Sequence, residues 1–251
     1  MMTGFVRMAA GAVMLAGMLA AQPKVKSKAE AEAIMAVQNA ATLDARLAAI
    51  DNMLVKFADT EFKPVLLQMA TGIAQQMGDY EKTIIYGERT LEADPKNYTA
   101  MITLANTIAQ RTKEFDLDRE EKLGRAEKLA NGAMEILKTA QKPRPDIPDE
   151  QWEAAKTDLA AQAHQALAFG AMARKKFDVA ISEFKTAAEM ANPPDPATWV
   201  RLADAYNQAQ KPDEAIATID KVLAMPDLNP QVKSVAESVK ATATRLKAAK
   251  Q

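Results

Sequence analysis

His164 is the only histidine in the chain, and cysteine is absent. Without cysteine there are no disulfides, no thiolate nucleophile, no thiolate metal site and no lipid-anchored cysteine after a leader. A serine or threonine nucleophile needs a base to activate it, and a single imidazole on an apolar helix face reads as a packed residue satisfied by a neighbour. The acidic run Glu114, Asp116, Asp118, Glu120 and Glu121 is the other candidate for chemistry. It lacks the glycine that gives a calcium loop its sharp turn, and it lacks the closing glutamate at the right spacing. Asp118 with Glu121 reads instead as a helix start, where carboxylates are favoured. No glycine-rich phosphate loop follows a strand, since no strand is evident. We expect no enzyme, no metal and no cofactor; an enzyme with its site in the acidic segment is the minor alternative.

The elements carry more information than any single residue. Asp195 followed by Pro196 is a helix start, because Asp accepts hydrogen bonds from free amides and Pro fits the first turn. Trp199, Leu202, Ala203 and Tyr206 then recur on one helical face. Pro212 breaks that helix, and Ala215, Ile219, Val222 and Leu223 restart the spacing on a second one. Such a pair cannot cover its own apolar surface and needs neighbours. Charge offers no competing theme: 32 basic residues stand against 33 acidic ones, so no strong field draws nucleic acid or an anionic membrane.

This stretch resembles a tetratricopeptide repeat, on Trp199, Leu202, Ala203, Tyr206, Ala215 and Ile219. A second copy lies at Pro64 to Asn97 and closes on Asp94-Pro95. It carries Thr83, Gly87 and Thr90 where the family prefers alanine or an aromatic, so its second helix is expected to pack loosely. The resemblance implies an all-α, right-handed solenoid of antiparallel helix pairs, about five repeats plus a C-terminal capping helix.

Residues 1–21 have the layout of a secretory signal peptide: Arg7, an uncharged run from Met8 to Ala21, and small residues before Gln22-Pro23. That run is too short to span a bilayer, so we expect export to the periplasm or beyond. An uncleaved anchor holding an envelope-assembly scaffold at the membrane is the alternative. Residues 22–63 read as a degenerate first pair, opened by the capping box Ser27 to Glu30. Ile34, Met35 and Ala36 lie on its first helix, and Leu47, Ala48, Ile50, Leu54 and Val55 form the apolar face of its second, with Ala48 in register with Thr83. Residues 64–141 hold two repeats, the later one capped at Asn97 and interrupted by an insertion at 112–124. Residues 142–148 form a proline-rich linker. Residues 149–229 hold two more repeats, whose long first helix, capped by Asp149, should set Trp152 against the insertion. Residues 230–251 form the cap, with Val232, Val235, Val239 and Leu246 inside.

In this family the opposite face of each first helix lines a groove that holds peptides, and the resemblance implies the same here. That face reads Gln68, Met69 and Gln76 in one unit, Ile102, Thr103, Asn106 and Gln110 in the next, then Gln165 and Phe169, then Arg201, Asp204 and Gln208. Of the lysine, arginine and asparagine clamp that chaperone-binding members use for a terminal carboxylate, only Arg201 and Asn106 could contribute, and Asp204 would oppose it. Gln68, Asn106, Gln165 and Gln208 can match the carbonyls and amides of an extended backbone, and Met69, Ile102 and Phe169 can take apolar side chains. The expected partner is therefore a protein or peptide offering a neutral, extended segment, with no nucleic acid, and a membrane only if the leader is retained.

Overall fold

The structure, a computed structural model, describes residues 23–250; the leader lies outside them. Among the described residues there are eleven helices and no strand. In order they are α1 (Lys28–Asn39), α2 (Leu43–Lys56), α3 (Lys63–Gln76), α4 (Tyr80–Ala93), α5 (Tyr98–Arg111), α6 (Arg119–Thr139), α7 (Asp149–Ala173), α8 (Phe177–Met190), α9 (Pro196–Gln208), α10 (Pro212–Leu223) and α11 (Pro230–Ala248). Each helix packs on the next in sequence, and α3 on α5, α5 on α7 and α9 on α11 add contacts between the first helices of neighbouring units.

The helices begin where short polar side chains can take up free amides. Ser27, Thr42, Asp79, Asn97, Asp195 and Asn229 each accept from a backbone N–H of the first turn. Pro212 stands at the first position of α10 rather than inside α9. What ends α9 is Gln210, in the left-handed region at φ 59°. The same device recurs at Gly78 (φ 70°) and Lys175 (φ 59°). In all three turns the following amide reaches back to the helix just left: Asp79 N to Ala74 O at 3.0 Å, Lys176 N to Ala171 O at 2.9 Å, and Lys211 N to Tyr206 O at 2.8 Å. These bonds satisfy carbonyls that a helix end leaves free. They also put α3/α4, α7/α8 and α9/α10 in one register.

The unit expected to be loose is tightly packed. A Cβ at Gly87 would lie 2.7 Å from the Leu104 side chain, which is itself fully buried. Thr71 and Thr90, both buried, set their hydroxyl oxygens 3.1 Å apart, and each hydroxyl donates either to the other or to a carbonyl of its own helix, Leu67 or Tyr86. Glycine and threonine thus shorten the distance between helices and leave no hydroxyl unpaired.

Several helix phases differ from the sequence reading. Val37 is buried in α1 while Met35 and Ala36 are exposed. Leu47, Ile50, Met53 and Leu54 form the inner face of α2, Val55 is 83% exposed and Ala48 also faces out; Leu47, not Ala48, is the counterpart of Thr83. In α11, Ala236 and Ala243 are fully buried and Val235 is exposed, because close helix contact selects the smallest side chain rather than the most apolar one. The segment 112–124 is a loop only to Asp118, and α6 takes up the rest. Asp118 occupies its cap position without a capping bond; its carboxylate pairs with Lys122 at 2.9 Å. Asp149 is the first residue of α7, and Pro148 holds the cap position. Trp152 is buried, but its indole donates to the Ala140 carbonyl at 3.3 Å. It therefore grips the C-terminal end of α6, the end away from the insertion, as antiparallel packing of α6 and α7 requires.

Candidate functional site

The twelve residues expected to line the first-helix face fall into three groups. Gln68, Ile102 and Thr103 are buried. Ile102 sits in the core with Ala163 and Ala166 of α7, and the Gln68 carbonyl accepts from Asn97 Nδ2 at 3.1 Å. These three are not open to a ligand: α5 is covered by α3 as well as by α7, so the face a lone helix pair would expose is internal here.

A second group is half-buried, and all of it but Asp204 is already engaged. Asn106 donates to the Gln162 carbonyl at 2.9 Å, tying α5 to the backbone of α7. Arg201 Nη1 donates to Gln165 Oε1 at 3.1 Å, and its guanidinium lies 5.2 Å from the Phe169 ring centre. Phe169 in turn meets Phe184 edge-on at 5.3 Å. Met69 packs against the first core. Arg201 thus bridges α7 and α9, whose backbones pack less closely than those of α3 and α5 or α5 and α7. Burial lowers its pKa from the ordinary arginine value, and the face of Phe169 returns some of that cost as a cation–π contact. Asp204, three residues on, is half-buried with no hydrogen bond or ion pair among the described residues. Burial alone pushes its carboxyl up from the usual range.

The third group is free. Gln76, Gln110 and Gln208 are exposed, and each lies in the last turn of a first helix, α3, α5 and α9 respectively. Gln76 and Gln208 both stand two residues before the left-handed residue of their turns, and Gln110 follows Gln76 by thirty-four residues, one period of the repeat. The three amides form a row along one edge of the first-helix face. The sequence carried that signal, since the three share a register position; what it could not show was that the other amides are spent within the fold.

Elsewhere, His164 Nδ1 meets Glu183 Oε2 of α8 at 2.6 Å, the satisfied imidazole the sequence implied. In the acidic segment Asp116 and Asp118 both pair with Lys122. No group of three or more histidine, aspartate or glutamate side chains is placed to hold a metal ion among the described residues. No helix among them is long and apolar enough to cross a membrane.

Antiparallel helix pairs, stacked in one register by a recurring left-handed turn, make this a helical-repeat solenoid. Residues 171–238 match the tetratricopeptide repeat model. A thermophilic tetratricopeptide-repeat protein of Thermus thermophilus has a similar structure, with a TM-score of 0.52 at 19% identity over 84% of this chain and 98% of that one. A tetratricopeptide repeat protein from Parabacteroides merdae aligns over 88% of this chain and 91% of its own at 16% identity, with a TM-score of 0.45. No curated protein sequence matches significantly. Residues 171–238 are thus tetratricopeptide-repeat sequence within a chain of that fold, in general the fold of a protein-interaction module. Proteins of this class are typically non-enzymatic scaffolds.

Proposed function

We propose that the chain is an exported protein-interaction module that holds an extended, largely neutral peptide across its first helices. The observation that carries this is the row of Gln76, Gln110 and Gln208, exposed at one register of three first helices. Packed helices stand about 8–10 Å apart and an extended chain rises about 3.3 Å per residue, so Gln76 and Gln110 on adjacent first helices meet the ligand backbone about three residues apart, and Gln208, with α7 between, about six residues further on. An amide offers both a donor and an acceptor there without reading charge. The Asn106 and Gln165 side chains, which hold α5, α7 and α9 together, set the spacing instead of touching the ligand.

Affinity capture from an envelope fraction, with the chain lacking residues 1–21 as bait, identifies the partner. Gln76→Ala with Gln110→Ala should then weaken binding about tenfold or more, at about 0.5–1.5 kcal/mol per lost hydrogen bond, and affinity should change little with salt. Affinity that collapses at high salt, or survives the double variant, overturns the neutral-peptide reading. Export predicts a mature chain beginning near Ala21 or Gln22; an intact mass retaining Met1 or Met2 on a membrane-bound species replaces export with the anchored scaffold.

A further inference from the structure

Asp204 is the one carboxylate that is buried or half-buried among the described residues and has neither a hydrogen bond nor an ion pair there. Its counterparts all have one. Glu30 accepts from the Thr60 hydroxyl at 2.6 Å and Asp51 from the Tyr86 hydroxyl at 2.7 Å; Glu88 pairs with Arg125, and Glu183 with His164. Asp79, Asp94, Asp116, Asp158 and Asp195 accept from backbone amides. Arg201 lies three residues before Asp204, a spacing at which side chains on a helix are neighbours. It is held instead by Gln165 at 3.1 Å and by the Phe169 ring. On α11, which also packs on α9, Lys240 and Lys247 pair with Asp220 and Asp213 of α10. Burial raises the Asp204 carboxyl from its usual range with no nearby charge to oppose it. A carboxylate drawn out of water without a partner destabilises a fold, and none of the described contacts offsets that at Asp204.

We propose that Asp204 takes one basic side chain, lysine or arginine, from the extended segment that the glutamine row holds. This rests on the peptide reading of that row and adds a single charged position to it. Gln208, exposed on the same helix, stands one turn after Asp204, about 6 Å along the axis. A ligand backbone that crosses α9 at Gln208 therefore passes within side-chain reach of Asp204, and lysine and arginine have the long apolar stems that carry a charge that far. The other first helices offer no second charge at this register. Counted six residues back from the left-handed residue of each turn, as Asp204 is from Gln210, the position is Gly72 in α3 and Phe169 in α7. In α5, four residues before Gln110, it is Asn106. The basic residue thus belongs at the α9 end of the segment, about nine residues from the one that meets Gln76. A single, partly buried ion pair is screened little by salt, in keeping with the weak salt dependence expected of the row.

Displayed random peptides of about fourteen residues, long enough to span the row, are selected on the full chain and on its Asp204→Asn variant, which keeps the side chain's shape and removes its charge. Wild-type selections should enrich lysine or arginine at one position near one end of otherwise uncharged sequences, and Asp204→Asn selections should lose that preference. Asp204→Glu should keep it. In a selected peptide, exchanging the lysine for norleucine or the arginine for citrulline should weaken binding to the wild type about tenfold by fluorescence anisotropy, and binding to Asp204→Asn by less than about twofold. Peptides with no basic preference, or with one that Asp204→Asn retains, overturn the assignment of Asp204. The row itself is read separately, since Gln76→Ala with Gln110→Ala should weaken the basic peptide and its neutral analogue alike. A peptide that needs Asp204 but ignores those two glutamines overturns the row alone, and a selection that enriches nothing overturns both.

Discussion

The unit α3/α4 and the unit α9/α10 share a turn and a register, yet their cores are built from different chemistry. Aligned on Gly78 and Gln210, Thr71 corresponds to Ala203, Thr83 to Ala215, Gly87 to Ile219 and Thr90 to Val222. All eight are buried. The large residue of α10 has become a glycine in α4, and the missing volume is supplied from outside the pair. Leu104, seventeen residues after Gly87, fills the space over it. Seventeen residues after Ile219 stands Ala236, buried in the same cluster. Large and small have changed places across one contact. What repeats is the sum of the two side chains rather than either one. The family model matches residues 171–238 and not α3/α4, although both pairs have the same turn.

The size exchange can be broken directly. Leu104→Ala and Ile219→Ala should each destabilise by about 2–5 kcal/mol, measured by denaturant unfolding. Gly87→Ile alone should cost about 1–3 kcal/mol or more, since Leu104 has no room to move. Combined with Leu104→Ala it should recover part of that loss, with a coupling of about 0.5–3 kcal/mol. Additive effects would show that the two positions do not exchange volume. At Ala203, the counterpart of Thr71, Ala203→Leu should destabilise by about 1–3 kcal/mol through overpacking; an unchanged melting temperature would break the register alignment itself.

Smaller effects sharpen the comparison at the turns and on the outer face. Gly78→Ala should cost about 1 kcal/mol, because alanine is strained in the left-handed conformation, whereas Gln210→Gly should be neutral or stabilising. Asp204 tests the half-buried face of α9. Its folded pKa is raised, so the folded state holds its proton more tightly than the unfolded state, and stability falls as pH rises from the unfolded value through the folded one. Asp204→Asn should remove that loss. The variant should melt above wild type near neutral pH, and the difference should vanish below about pH 4. A gap that persists in acid would mean that the gain comes from the amide itself and not from removing a buried charge.

The helix starts were legible because they are local. Asp195-Pro196, Asn97 and Ser27 announce themselves within a few residues, and so does the repeat spacing around Trp199. The engagement of the amides was not legible. Asn106 reaches a carbonyl on Gln162, fifty-six residues away, and Gln165 is met by Arg201 from the next unit, so their roles depend on how units stack. The phase of α11 was misread for a related reason. Alanine at a close helix contact and a solvent-facing valine look the wrong way round to any reading that ranks side chains by hydrophobicity alone.

Helix α7 has one further consequence. Its 25 residues make it about 37 Å long at 1.5 Å per residue, and it is fastened to α6 at both ends: Trp152 to Ala140 at one, Arg174 to Glu120 and Glu127 at the other. A rod clamped at two distant points to the same neighbour cannot swing on it. The solenoid is therefore stiff through its third and fourth units, and bending falls to the seam between α7 and α9, where Arg201 spans the gap against Gln165 and Phe169. A change in curvature would open or close that seam and leave the spacing between Gln76 and Gln110 unaltered, so the distance from that pair to Gln208 is the one that flexes.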